Sequence, residues 1–363
     1  MGIKGLTSLL KKYSPACIQT RKLYDYKGKS VAIDVSLFMH KFMYNYGNLI
    51  GGFFDQIYHL RRRGISPIYV FDGKPPQQKN KVLECRKKAK TKLASKITEL
   101  ECKLVEINKR KFSTTTEQTE PIEPIEPTEP TDPTEPQLVV PDVPIITLEE
   151  EQKNVEIKLK KLNRQVFKIT SNDYRNIRKL FDLLNVPYYD AEGEADTLCV
   201  YLTKNNLADV CMTEDMDFLT HGCVSLLRDF NSKSNTVTEY NLTSILHNMG
   251  ITHTQFIDLC ILCGCDYTYK IRGLGPIGAF KLIKNNETIE TILTNFCGPD
   301  KKYKLPEDFD YENARRLFLS SNTAMNYKSH YSKEVDLVRL GTFLSENTKL
   351  TPTQINNRFK KIF

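Results

Sequence analysis

The stretches that decide the fold are Val31-Ala32-Ile33-Asp34-Val35 and Ile68-Tyr69-Val70-Phe71-Asp72. Each is a short apolar run, rich in β-branched or aromatic residues, with an aspartate at or near its end. Such continuous apolar runs are typical of strands buried on both faces of a sheet. Residues 186–190 and 209–213 have the same character. These runs therefore predict four strands of one sheet.

Amphipathic helices are predicted between these strands, over residues 36–46, 53–63, 173–184 and 194–205. Alternation of strands and helices predicts an α/β fold with a mostly parallel central sheet flanked by helices. In such sheets, ligands bind beyond the carboxyl ends of the strands. The acids that follow the predicted strands therefore mark the expected site.

The charge of the chain is unevenly distributed. Its 363 residues, 40% of them hydrophobic, fit one large domain or two, and the formal net charge is +8. Residues 113–150 hold ten acidic side chains and no Lys or Arg, so the other 325 residues carry +18. An excess of this size favours a polyanionic partner.

Several classes of protein are excluded by the sequence. No apolar run approaches the 18 or so residues of a membrane-spanning helix, and residues 1–5 lack the pattern of a secretory signal. We therefore expect no membrane association. The ten cysteines are scattered along the chain, which fits a reducing, intracellular compartment.

The middle of the chain differs from its flanks. Basic residues from Lys79 to Lys111 predict one or two long helices, and helical pattern resumes at 148–164. Between them, proline recurs every third residue over 120–136, which favours extended chain and cannot form a core. A last helical region is predicted from 254 to the end. The predicted divisions are an N-terminal region with the first basic helix, a disordered insertion, an internal region with the second basic helix, and a C-terminal region, at 1–112, 113–147, 148–270 and 271–363.

Seven acids follow the predicted strands or end an apolar helix: Asp34, Asp72, Glu194, Asp196, Asp215, Asp217 and Asp266. A single aspartate after a strand is often only a helix cap, but capping does not explain doublets repeated at successive strand ends. Carboxylates drawn together repel one another unless cations compensate them, and oxygen-only ligands select Mg²⁺ or Mn²⁺. Two such ions form the clamp used in phosphodiester cleavage.

The sequence resembles the flap endonuclease family, the structure-specific 5′ nucleases that include XPG-type enzymes. The matching motifs run in order along the chain: Met-Gly-Ile-Lys-Gly-Leu (1–6), Val-Ala-Ile-Asp-Val-Ser (31–36), Tyr-Val-Phe-Asp-Gly-Lys-Pro-Pro (69–76), Gly-Glu-Ala-Asp (193–196), Thr-Glu-Asp-Met-Asp-Phe-Leu (213–219), and Gly-Cys-Asp-Tyr (264–267) followed by Ile-Arg-Gly-Leu-Gly-Pro (271–276). The resemblance implies a PIN-like nuclease core with a helical arch formed by the basic helices.

The resemblance also implies roles for the acids and two basic residues. Asp34, Asp72, Glu194 and Asp196 would hold a first Mg²⁺ ion. Asp215 and Asp217 would hold the second, with Asp266 acting through water, and Mn²⁺ would substitute for Mg²⁺. Lys79 and Arg86 are seven residues apart, on one face of the predicted helix. In the family the matching pair reaches the scissile phosphate, and both count here as catalytic residues.

A helix–hairpin–helix is predicted around residues 271–283. Gly273, Gly275 and Gly278 let backbone N–H groups approach a phosphate, and the following helix adds its dipole. The resemblance implies a K⁺ ion in this hairpin, held in relatives by a serine hydroxyl. Lys270 stands at the position of that serine, so the resemblance leaves open whether this chain binds K⁺. The resemblance also places Gly2 near the DNA junction. His40 takes the position of a tyrosine that stacks on a base.

The sequence therefore predicts a Mg²⁺-dependent 5′ nuclease that cleaves DNA at single-strand/duplex junctions, foremost 5′ flaps, in replication and repair. The alternatives are a 5′–3′ exonuclease or junction resolvase of the same superfamily, and a non-catalytic DNA-binding scaffold. We expect a monomer. The segment from Gln354 to Phe363 fits a core helix better than a sliding-clamp tail. The expected location is the nucleus, or the cytoplasm if the chain is viral.

Overall fold

The computed structural model describes residues 2–116, 148–286, 288–320, 327–330 and 335–363. It divides the chain into two compact units. The larger unit joins Met1–Glu84 to Ile169–Phe363, and the smaller unit is Cys85–Lys168. The predicted divisions follow chain order, whereas the larger unit brings together segments from both ends of the chain.

One sheet of eight strands forms the larger unit. The strands are β1 (Ile18–Lys22), β2 (Ser30–Asp34), β3 (Ser66–Phe71), β4 (Tyr188–Ala191), β5 (Val210–Met212), β6 (Ser225–Asn231), β7 (Thr236–Asn241) and β8 (Tyr327–His330). Their order across the sheet is β1-β7-β6-β5-β2-β3-β4-β8. Strands β6, β5, β2, β3 and β4 are parallel, and antiparallel pairings add β7 and β1 at one edge and β8 at the other.

Helices connect these strands and cover the sheet. They are α1 (Leu6–Tyr13), α2 (Val35–Tyr46), α3 (Leu49–Arg61), α4 (Asn80–Thr116), α5 (Leu148–Val166), α6 (Ser171–Leu183), α7 (Ala195–Lys204), α8 (Asp217–Thr220), α9 (Leu242–Met249), α10 (His253–Cys263), α11 (Pro276–Asn286), α12 (Ile289–Phe296), α13 (Tyr311–Leu319), α14 (Leu337–Asn347) and α15 (Pro352–Phe359). The predicted α/β class, with a mostly parallel sheet flanked by helices, is confirmed.

Alternate residues of each central strand enter two different hydrophobic layers. In β2, Val31 and Ile33 pack in one layer with α2, α3 and α6, while Ala32 packs in the other with α7 and α10. In β3, Tyr69 and Val70 divide in the same way. Both faces of these strands are covered, so the side chains of their apolar runs do not face solvent. This explains why each strand contains an unbroken apolar run in the sequence.

The order of the strands places a crevice beside β2. The chain passes from β2 to β3 and β4 on one side, then returns to build β5 and β6 on the other. Such a reversal is a topological switch point, where loops diverge and leave a crevice beyond the carboxyl ends of the strands. Asp34 ends β2, and the other strand-end acids leave the sheet at this edge.

The structure differs from the sequence prediction in several elements. Strands β1, β6, β7 and β8 were not predicted, and β8 interrupts the region expected to be helical from 254 to the end. Helix α4 continues to Thr116, four residues into the segment predicted to be a disordered insertion. The rest of that predicted insertion, 117–147, lies outside the described residues. The predicted C-terminal core helix is α15, with Ile355 and Phe359 buried.

The smaller unit contains most of α4 and all of α5. Apolar side chains of the two helices, Ile97 and Ile107 on α4 with Val155 and Leu159 on α5, form a small core of their own. Most other positions on α4 are exposed, in keeping with its basic composition. Among the helices of the described residues, none is long and apolar enough to cross a membrane.

Removing one aromatic ring should reveal how much stability the layer beneath α6 provides. Phe181 stacks on Tyr69 at 4.3 Å between ring centroids and also contacts Phe53, 5.6 Å away. We expect Phe181→Ala to lower the free energy of unfolding by about 3–5 kcal/mol, because it leaves a cavity in a packed core. Urea denaturation would measure the loss. The control is Tyr24→Ala, at an aromatic residue 66% exposed, and equal losses in both variants would contradict the expectation.

Candidate active site

The first two acids, Asp34 and Asp72, are held by backbone amides at the ends of β2 and β3. Asp34 is buried and caps α2, its Oδ1 accepting a hydrogen bond of 2.8 Å from the Ser36 amide. Asp72 accepts a hydrogen bond of 2.8 Å from the amide of Ala195, which begins α7. The contact through Ala195 ties the end of β3 to the helix that carries the next acids.

Glu194 and Asp196 lie at the start of α7, directly after β4. Asp196 Oδ1 accepts a hydrogen bond of 2.6 Å from the Thr197 amide, and its Oδ2 is 3.7 Å from Nε2 of the buried His221. Glu194 Oε2 accepts a hydrogen bond of 2.7 Å from the Tyr267 hydroxyl. These contacts orient both carboxylates before any ion binds.

Asp215 and Asp217 follow β5, and the backbone of Gly2 lies against them. The Asp217 amide donates to Asp215 Oδ1 at 3.1 Å, and Asp217 is buried. Gly2 has φ +84°, and a Cβ there would be 2.0 Å from Asp215 Oδ1. The structure therefore places Gly2, predicted as a DNA contact, beside the acids, where only glycine fits.

Burial and repulsion from neighbouring carboxylates raise the pKa values of Asp34, Glu194, Asp196 and Asp217. Burial, then the charges of Asp72 and Asp196, hold the pKa of Asp34 well above its usual range. Burial, then Asp215, does the same to the pKa of Asp217. Burial raises the pKa of Asp196 to about 6. Because the charges act on one another, the acids form one group, here called the acid cluster: Asp34, Asp72, Glu194, Asp196, Asp215, Asp217 and Asp266.

Lys79 supplies a positive charge within this group. Its Nζ contacts Glu194 Oε1 and lies 4.0 Å from Asp266 Oδ2. Burial alone would lower the pKa of Lys79, but Glu194, Asp196 and Asp266 raise it above its usual value, so the side chain stays protonated. It lies in the single turn Gln77–Lys79 just before α4, and not on α4 itself as predicted. Arg86 lies on α4 in the smaller unit.

Asp266 lies three residues beyond the last residue of α10, in the connection to α11, and does not end the helix as predicted. The same connection contains the predicted hairpin. Gly273 has φ +83°, a conformation that favours glycine, and a Cβ on Gly275 would meet no atom within 4 Å. Gly278 lies in the first turn of α11, where an added Cβ would be 3.3 Å from Leu274 Cδ1. His40, half-buried on α2, lies one turn beyond Ser36.

The acid cluster fits divalent cations by its chemistry. All seven side chains offer oxygen, the ligand that Mg²⁺ and Mn²⁺ prefer. Within the described residues, the buried Asp217 Oδ1 has no hydrogen-bond donor. In that same part of the chain, no group of three or more His, Cys, Asp or Glu side chains already has the arrangement of a metal site. The acids are nevertheless near enough for their charges to act on one another.

Comparison with known proteins supports the same chemistry. The XPG N-terminal domain matches residues 1–93, and the XPG I-region matches residues 185–266. Flap endonuclease 1 of Entamoeba histolytica is 33% identical over 354 residues, which cover 92% of this chain and 80% of that protein. Flap endonuclease 1 of Tetrahymena thermophila is 31% identical over 387 residues, which cover 100% of this chain and 88% of that protein. The chain belongs to the flap endonuclease and XPG family.

Two solved structures share this fold. The catalytic core of Rad2 in complex with DNA substrate has a TM-score of 0.67, with 17% identity and complete coverage of both chains. Flap endonuclease-1 from Methanococcus jannaschii has a TM-score of 0.60, with 18% identity and 95% coverage of both. As a member of the flap endonuclease and XPG family, the chain is a structure-specific 5′ nuclease that binds DNA, and the family uses divalent metal ions.

Three residues that were not predicted as site residues contact or act on the acid cluster. Tyr267 and His221 contact its members directly, and Tyr174 on α6 lies near enough to Asp34 and Asp72 for their charges to raise its pKa, although burial is the larger cause. Tyr267 directly follows Asp266 in sequence, which could have indicated it. The other two are brought to the site by tertiary packing alone.

The raised pKa values predict an unusual dependence of stability on pH. Asp196 has a pKa near 6 in the folded protein and about 3.9 when unfolded, so the folded state binds the proton more tightly. In EDTA, stability should fall as pH rises from about 4 to about 7. Asp196→Asn should therefore raise the free energy of unfolding at pH 7 by about 1–3 kcal/mol and have little effect near pH 4.

Urea denaturation at both pH values would measure this effect. Asp209→Asn is the control of opposite sign, because hydrogen bonds from Lys29 and Ser30 lower the pKa of Asp209. That variant should lose stability at pH 7. A loss of stability in Asp196→Asn at pH 7 as well would contradict the repulsion described here.

Proposed function

We propose that the protein hydrolyses DNA phosphodiesters at junctions between single and double strands, foremost at 5′ flaps, with two Mg²⁺ ions. The observation that supports this best is the convergence of acids from the ends of β2, β3, β4 and β5 beside the half-buried Lys79. The relatives reported above are named flap endonuclease 1, which favours 5′ flaps over other DNA junctions as the substrate.

The acids would divide between two ions. Asp34, Asp72, Glu194 and Asp196 would hold one, and Asp215 and Asp217 the other, with Asp266 acting through water. Two ions in such a site activate water and stabilise the leaving oxygen of an in-line displacement. The contacts to backbone amides, Tyr267 and His221 fix the carboxylates in advance, which limits the reorganisation needed when substrate binds.

Lys79 would assist the reaction by charge. Its ammonium stays protonated in this environment and lies at the rim of the acid cluster, between Glu194 and Asp266. A fixed positive charge there stabilises negative charge that develops on the phosphate. Arg86 on α4 is proposed as the second such residue, on the family resemblance alone.

The hairpin between α10 and α11 is proposed to bind the duplex backbone. Gly273 and Gly275 leave its backbone open to a phosphate, and the N-terminus of α11 adds its partial positive charge. The hairpin does not fit the K⁺ ligation of relatives. Lys270 replaces the serine hydroxyl, its stem packs on Gly264, and an ammonium has no lone pair for a cation. No step is assigned to K⁺.

Loss of one metal ligand should abolish cleavage without loss of fold. With Mg²⁺ and a 5′-labelled flap substrate, we expect Asp215→Asn to lower kcat by about 10³-fold, since a lost ligand removes several kcal/mol of transition-state stabilisation. Asp25→Asn, at an exposed acid in the turn after β1, is the control. Intact cleavage by Asp215→Asn would contradict the two-ion assignment.

Loss of Lys79 should affect the chemical step more than binding. We expect Lys79→Ala to lower kcat by about 10²–10³-fold, the usual cost of removing one preorganised donor to a developing anion. Lys29→Ala is the matched control, since Lys29 lies just before the opposite end of β2 and pairs with Asp209. If both variants lose only DNA affinity, Lys79 acts as an ordinary phosphate contact.

Substrate preference needs a direct comparison. Flap, nicked, gapped, blunt and four-way junction substrates of the same sequence would be cleaved side by side by the same preparation. We expect the flap to give the highest kcat/KM. Dominant cleavage of the four-way junction would contradict the flap assignment while leaving the nuclease assignment intact.

A further inference from the structure

An ion pair holds the loop between β5 and α8, which contains Asp215 and ends at Asp217. Glu214 lies in this loop but is not a member of the acid cluster. Its Oε1 pairs with Nζ of Lys41 on α2, and each of the two side chains is 24% exposed. Its Oε2 accepts a hydrogen bond of 3.4 Å from the Asp229 amide. One carboxylate therefore joins the loop to both α2 and β6.

This pair connects the elements that carry the two sets of proposed metal ligands. Strands β2 and β5 are neighbours, and Ile33 faces Met212 in the last pair of their register. Beyond that point β2 continues into Asp34 and α2, whereas β5 continues into the loop. Lys41 lies seven residues, about two turns, beyond Asp34. The contact from Lys41 to Glu214 thus links the helix that Asp34 caps to the loop with the second set.

The backbone of β6 is distorted where it contacts Glu214. Asp229 has φ +52°, a conformation that is uncommon outside glycine. It lies between Arg228 and Asn231, where the register of β6 against β7 shifts. Bulges of this kind change the direction of nearby groups and are frequent next to active sites. A distortion that supplies a hydrogen bond to Glu214 supports a positional role for its carboxylate.

We propose that Lys41 and Glu214 are positioning residues for the second divalent ion. By holding the loop against α2, they set the distance between Asp34 and the ligands Asp215 and Asp217. The inference rests on the two-ion site proposed above. Two ions act on one phosphodiester at a spacing of about 3.5–4 Å. A loop released from α2 therefore binds the second ion more weakly.

The direction of the effect separates positioning from simple electrostatics. Lys41→Met removes a positive charge, which by Coulomb attraction alone would strengthen cation binding. Glu214→Gln removes a negative charge, which by the same reasoning would weaken it. Positioning instead requires both variants to bind the second ion more weakly. We expect a loss of about tenfold in each, the low end of the effect of residues that orient metal ligands.

The affinity for the ions can be measured without DNA. Mn²⁺ would be titrated into the metal-free protein, and free Mn²⁺ would be followed by electron paramagnetic resonance. We expect two Mn²⁺ sites in the wild type, one of which is weakened in Lys41→Met and in Glu214→Gln. With the labelled flap, both variants should need about tenfold more Mg²⁺ for half-maximal cleavage, while kcat at saturating Mg²⁺ stays near that of the wild type.

Further variants test whether the pair itself is responsible. Lys41→Arg keeps the ion pair and should bind Mn²⁺ like the wild type. Lys41→Glu combined with Glu214→Lys rebuilds the pair in reverse and should recover most of the lost affinity. The matched control is the ion pair of Arg358 on α15 with Asp55 on α3, whose side chains are 25% and 26% exposed. Arg358→Met should lose about as little stability in urea as Lys41→Met but keep wild-type Mn²⁺ affinity.

The outcomes distinguish the ion pair from the two-ion site. Stronger Mn²⁺ binding by Lys41→Met, or unchanged binding in both single variants, would overturn the positioning role and leave the nuclease function intact. An equal loss of Mn²⁺ affinity in Arg358→Met would also overturn it, because the loss would then reflect stability in general. A wild type that binds fewer than two Mn²⁺ ions would overturn the two-ion assignment itself.

Discussion

The mutual repulsion of carboxylates at one edge of the sheet is the constraint to which the rest of the site responds. The strand order brings the acids after β2, β3, β4 and β5 to a single crevice. Burial then weakens their hydration, and each charge disfavours the next. Lys79 compensates only part of this, because one ammonium cannot balance seven acids. The site is therefore built to take up cations.

Helix capping and metal binding were weighed as alternatives for each aspartate, and the capping contacts seen here are compatible with metal binding. Asp34 caps α2 through Oδ1, and the Asp72 carboxylate binds the amide at the start of α7. The positive ends of both helices thus face the acids and favour their charged forms. A capping aspartate is also held in one orientation, which a metal ligand requires. Capping thus prepares these carboxylates for ions.

The sequence predicted the strands that leave a clear pattern in consecutive residues. The runs at 31–35 and 68–72 were found because strands covered on both faces have few polar positions. Strands β1 and β8 were missed because Ile18–Lys22 and Tyr327–His330 are mainly polar edge strands that lack this pattern. The acids were found by their spacing from strand ends. His221 and Tyr174 could not be found in this way, because only tertiary packing brings them near the acids.

The same electrostatics explains why DNA recognition has to be distributed over the protein. Without cations the acid cluster repels phosphate, so it cannot supply the initial affinity for DNA. That affinity must come from positive charge and open backbone elsewhere, and the hairpin at Gly273 and Gly275 offers both, with Lys270 and Arg272 exposed beside it. Because binding and cleavage then depend on different parts of the surface, only a substrate that reaches both at once is cut. Geometry can in this way select the DNA structure without reading its sequence.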